Sequence, residues 1–89
     1  MTTAIPDVTF ETFVLSLGTA TLVSLGEIEN PVTKSMEKDL ASAKQHIDIL
    51  ELLAKKTSGN LNDQESKLMQ HLLYELRIKY VAATEGNKL

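Results

Sequence analysis

Thr12-Phe13-Val14-Leu15-Ser16-Leu17-Gly18-Thr19-Ala20-Thr21-Leu22-Val23-Ser24-Leu25-Gly26 runs for fifteen residues without a charge. Thr9, just ahead of it, is suited to cap a helix that opens at Phe10, with Glu11 placed to meet the positive end of the helix dipole. Gly26 suits the other end, so the stretch predicts a helix over about 10–25. Wound at 3.6 residues per turn it has no charged face, and such a helix is covered on all sides or lies in lipid. Fifteen helical residues reach only ~22 Å against a hydrocarbon core of ~30 Å. Five of the fifteen are Ser or Thr and no basic residue flanks them, which argues against an integral membrane span.

The rest of the chain predicts two longer helices. Asn30-Pro31 interrupts helix continuation after Gly26. A second helix is expected over 36–56, with Ser35 as N-cap and Glu37 and Asp39 in its first turn. Met36, Leu40, Ala43, Ile47, Leu50 and Ala54 then fall at 4-3-4-3-4 spacing, the seam of a helix–helix contact, which Ile49, Leu52 and Leu53 widen. Thr57-Ser58-Gly59-Asn60 ends that helix. Asn62 and Glu65 form a capping-box pattern for a third helix over 62–83. Its seam is Met69, Leu73, Leu76, Tyr80 and Ala83, flanked by Leu68 and Leu72. The short link predicts that helices 2 and 3 pair as an antiparallel hairpin. The fold class is therefore all-α, with an arm over 1–8, one domain over 9–84 and a tail over 85–89.

Two helices of one chain cannot easily enclose an uncharged third. The chain has 89 residues and no cysteine, so neither a large core nor a disulfide compensates. Self-association is expected to complete the core, giving a homodimer or higher homo-oligomer. Ser16, Ala20 and Ser24 form a small-residue stripe at i, i+4, i+8. With Phe13 and Leu17 they are the candidate oligomer interface.

Composition excludes several activities. The net charge is -3, the mean hydropathy -0.07, and Arg77 is the single arginine. No basic patch offers a footprint for nucleic acid. Neither a secretory nor a mitochondrial signal is legible, so the expected location is the cytoplasm. Four glycines, at 18, 26, 59 and 86, build no phosphate-cradling loop. His46 and His71 lie beside the seams and read as boundary or solvated residues. Neither is preceded by Glu at i−3, so the carboxylate-bridged di-metal bundle has no ligands here. No nucleophile-elbow motif occurs, and no cofactor or metal is expected. His71 and Glu75 sit one turn apart, and Tyr74 and Arg77 three apart. Together these four are the candidate contact for a partner or anion. Tyr74, Ile78 and Val81 also form a second apolar stripe, and Glu75 and Lys79 are an i,i+4 ion pair in the favoured direction.

Several segments resemble a known family. They are Thr9-Phe10-x-Thr12-Phe13-Val14-Leu15-Ser16-Leu17 with Leu25-Gly26-Glu27-Ile28, then Leu40-Ala41-x-Ala43-Lys44-Gln45-x-Ile47-Asp48. Lys56-Thr57-x-Gly59-Asn60-Leu61 and Leu72-Leu73-Tyr74-x-Leu76-Arg77-x-x-Tyr80 complete the set. In this order they are similar to the bacterial domain-of-unknown-function family numbered 1844. Where such relatives carry acidic, glycine-containing residues after the proline, this chain has Val32-Thr33-Lys34-Ser35. The resemblance implies a small, bacterial, cytoplasmic helical protein and assigns no activity. The residues themselves point to a non-enzymatic homo-oligomeric module that binds an unknown protein partner. Alternatives are a small-molecule or anion-binding protein with its site at the subunit interface, or peripheral membrane association through helix 1.

Overall fold

The computed structural model describes residues 7–86, which form three helices: α1 (Phe10–Ser24), α2 (Leu40–Lys56) and α3 (Asp63–Gly86). Among the described residues there is no strand. Each helix packs on the other two.

α1 starts where expected, but its cap is a box built from two threonines. The Thr12 backbone N–H donates to Thr9 Oγ1 at 3.0 Å, and the Thr9 N–H donates to Thr12 Oγ1 at 2.9 Å. Two of the orphan donors at the helix start are thereby satisfied. At the other end Gly26 takes φ +79°, letting its N–H reach Val23 O (3.0 Å) and the Glu27 N–H reach Leu22 O (2.9 Å). That paired arrangement is a Schellman stop, which needs the left-handed conformation glycine adopts without strain.

α2 begins four residues later than the sequence pattern suggests. Asp39, not Ser35, is the N-cap, and Leu40, not Met36, is the first helical residue. Asp39 offers one carboxylate oxygen to the Ser42 N–H (3.1 Å) and the other to the Ser42 hydroxyl (2.8 Å). Those bonds, the backbone one first, hold the Asp39 carboxyl below its usual pKa. The Ser35 hydroxyl instead donates to Glu37 (3.0 Å), within a loop organised by Asn30. Asn30 Oδ1 accepts from the Val32 N–H at 2.8 Å and the Thr33 N–H at 3.3 Å. Its backbone N–H donates to Ser35 O at 2.8 Å. Met36 is consequently outside the helix and exposed, and the seam starts at Leu40. The Asp39 N–H donates to Ser24 O at 2.7 Å, fastening the start of α2 to the end of α1.

Asn62 and Glu65 form the expected reciprocal cap of α3, at 2.9 and 2.8 Å. The helix continues to Gly86, three residues past the expected end at 83, because Ala83, Thr84 and Glu85 contain no breaker. The start of the expected tail is thus helical; the remainder, like residues 1–6 of the arm, lies outside the described residues. Asp7 and Val8 are irregular and exposed.

The core consists of Val14 and Leu25, Ala43, Ile47 and Leu50 of α2, and Met69, Leu73 and Leu76 of α3. Leu40, Leu53, Ala54, Leu68, Leu72, Tyr80 and Ala83 pack around it. A fully buried large aliphatic side chain contributes about 1.5–3 kcal/mol by leaving water. Ile49 and Leu52 do not widen the seam; they turn outward. Lys79 bridges to Glu27 at 3.3 Å and so ties α3 to the end of α1, in place of the local pair with Glu75. Gly18 is buried, and a Cβ there would sit 3.0 Å from both terminal carbons of Leu72. The bare backbone of α1 is what lets α3 come this close.

Candidate functional site

α1 shows one covered side. Val14, Gly18 and Thr21 are buried, and the Thr21 hydroxyl donates to Leu17 O at 2.8 Å. On the two flanks of α1, about 100° to either side of Val14, Phe13 and Leu15 remain 46% and 48% exposed, too much for core residues. Of the small-residue stripe, Ser16 is exposed and its hydroxyl turns back to Phe13 O at 2.7 Å. Ala20 and Ser24 are half-buried against the chain itself. Leu17 packs against the core from its edge. The five residues thus straddle the boundary between the core and the outer face of α1.

On α3 the two apolar stripes point in opposite directions. At about 100° per residue, Tyr74, Ile78 and Val81 lie roughly opposite Met69, Leu73 and Leu76. The second set is buried, whereas Tyr74 is 62% exposed and Ile78 and Val81 about half. His71 is exposed on one flank of the outer stripe, with Glu75 half-buried further round that side. Arg77 lies on the opposite flank, so the four candidate contact residues fan across the helix instead of converging on one point. Arg77 also has a partner. Its Nε and Nη2 donate to Glu51 Oε2 at 2.9 and 2.7 Å, joining α3 to α2. Sequence reasoning misses Glu51, although a signal exists: it follows Leu50 as Arg77 follows Leu76, the flanking positions where paired helices exchange ion pairs.

An open cleft of about 480 Å³ lies beside this pair, lined by Asp48, Glu51, Leu52, Lys55, Leu73 and Arg77. Its cations and anions are matched, so it offers no net positive field to an anion. Among the described residues no three His, Asp or Glu side chains group as metal ligands. Nor, among them, is any helix long and apolar enough to cross a membrane.

His71 is exposed, while His46 is half-buried and its Nδ1 is enclosed without a hydrogen-bond partner among the described residues. An unsatisfied nitrogen of this kind costs stability. His46→Leu is therefore expected to stabilise the fold by about 1 kcal/mol, helped by the better helix propensity of leucine. Thermal denaturation followed by circular dichroism checks this. A lowered midpoint would show that the ring makes a contact leucine cannot replace.

No curated protein and no solved structure matches the chain significantly. The segments that cap α1, line the core and turn between α2 and α3 all fall within residues 7–82, where the family model described as Domain of unknown function (DUF1844) matches; the chain belongs to that family.

Proposed function

We propose that this protein is a non-enzymatic, homo-oligomeric helical interaction module of the bacterial cytoplasm, with α2 and α3 as its antiparallel hairpin. The observation that carries this reading is the outward apolar surface left on helices whose inner faces are already used. Phe13 and Leu15 are nearly half-exposed on the two flanks of α1, and Tyr74, Ile78 and Val81, on successive turns of α3, are about half-exposed or more. Single exposed apolar residues are ordinary, but successive turns of one helix repeating them form a patch, and patches mark interaction sites. The matched charges of the cleft beside Arg77 offer an anion no net field.

The test is the oligomeric state of the purified chain, by sedimentation or light scattering across a dilution series up to tens of micromolar. A dimer or larger assembly is expected. A monomer throughout would overturn the homo-oligomeric reading. Gentle co-purification from native extract addresses the partner protein, and recovery of no stoichiometric companion would count against that half of the proposal.

A further inference from the structure

The outer stripe of α3 is self-complementary. Lys67 and Glu85 are both exposed and stand eighteen positions apart, about five full helical turns, so they lie on one line along the helix. Midway between them is Leu76, which is buried and faces the chain's own core. Four exposed residues between the two charges, on the side of the helix away from Leu76, are spaced evenly about that midpoint. Tyr74 and Ile78 stand two positions to either side of it, and His71 and Val81 five. The helix thus presents an apolar centre with a cation at one end and an anion at the other. Among the described residues the ion pairs Lys44–Asp48, Arg77–Glu51 and Lys79–Glu27 use neither end charge.

We propose that a second copy of the chain docks on this stripe, its α3 antiparallel to the first and related to it by a two-fold axis level with Leu76. This rests on the homo-oligomeric reading and names its contact. In that arrangement Tyr74 is level with the second copy's Ile78, and Lys67 with its Glu85, so the ion pair forms twice. A parallel pairing would set Lys67 beside Lys67 and Glu85 beside Glu85, which like-charge repulsion disfavours. The dyad is the isologous geometry of most homodimers, in which one patch meets itself. The stripe on α1 has no such device. Ser16, Ala20 and Ser24 carry no charge to set a register, and Ala20 and Ser24 are already half-covered by their own chain.

The dyad makes a prediction that a general hydrophobic contact does not. At low salt, Lys67→Glu alone places Glu opposite Glu at both ends, and Glu85→Lys alone places Lys opposite Lys. Each is expected to weaken self-association by about tenfold. An equimolar mixture of the two single variants should recover wild-type affinity, because at each end of the mixed dimer a Glu of the Lys67→Glu chain faces a Lys of the Glu85→Lys chain. The double variant should recover it within one chain. Tyr74→Asp should weaken association by about a hundredfold, as a charge is buried at the centre of the contact. These positions face away from the core, and helical circular dichroism checks that each variant is folded. A wild-type monomer overturns the homo-oligomeric reading and this contact with it. An oligomer indifferent to Tyr74→Asp, or single charge variants whose losses the double variant does not reverse, overturns only the contact proposed here.

Discussion

Leu50→Ala is expected to lower the free energy of unfolding by about 2–5 kcal/mol, measured by urea denaturation at fixed protein concentration. Leu50 is fully buried and among the largest side chains with no exposure. It sits on the inward face of α2 with Ala43 and Ile47, among core residues supplied by all three helices. Truncation removes three buried carbon atoms and leaves a cavity that a helix held on two sides can only partly close. A domain of this size has on the order of 5–10 kcal/mol to lose, so the variant approaches the threshold of folding. Leu52→Ala is the control. It changes the same side chain on the same helix at a position 56% exposed, and is expected to cost about 0.5 kcal/mol or less. Equal losses at the two sites would mean that the helix is held by propensity and not by packing.

The contrast between Leu50 and Leu52 also shows what the sequence makes legible. Positions repeating at 4-3 spacing along α2 and α3 find the buried seam, because only those positions return to one side of a helix every two turns. The Asn62–Glu65 cap and the two stops at Gly26 and Gly59 are equally readable, since each rests on local chemistry. The start of α2 is not. Ser35 and Asp39 are both competent caps, and the choice is settled by Asn30, which engages the loop backbone, and by the end of α1, which accepts the Asp39 N–H. The partner of Lys79 is obscured for the same reason. Glu75 is near in sequence, but Glu27 is brought near by the fold.

The candidate surface divides along similar lines. α3 carries two apolar stripes of like spacing, Met69-Leu73-Leu76 and Tyr74-Ile78-Val81, and periodicity alone does not say which one turns inward. Five seam positions running from Met69 to Ala83, with Leu68 and Leu72 beside them, outweigh three. On α1 the difficulty is greater, because an uncharged helix has no wet side to orient it. Phe13 and Leu15 on the outside, and Val14, Gly18 and Thr21 on the inside, are distinguished by what the other helices reach. Thr21 illustrates the point: a polar side chain is buried because its hydroxyl finds a carbonyl one turn back.

Gly18→Val is expected to destabilise the protein by about 1–3 kcal/mol through overpacking, with the larger value if α1 separates from α3. Glycine in mid-helix normally costs about 1 kcal/mol relative to alanine, so its use here calls for a compensating gain. The gain is proximity: a Cβ alone would lie 3.0 Å from both Leu72 methyl carbons, and valine adds two more carbons on the same side. Gly18→Ala should be nearly neutral, because improved propensity offsets a displacement that the flexible end of Leu72 absorbs. The diagnostic experiment is the cycle with Leu72→Ala. Leu72 is half-buried, so its truncation alone costs stability. It also removes the two carbons that the introduced valine side chain would strike, so the double variant should lose less than the sum of the singles by about 1 kcal/mol or more. Coupling of that sign is particular to a steric contact across the two helices. A glycine kept only for backbone freedom would give additive losses, and its helical conformation, without a positive φ, supplies no such need.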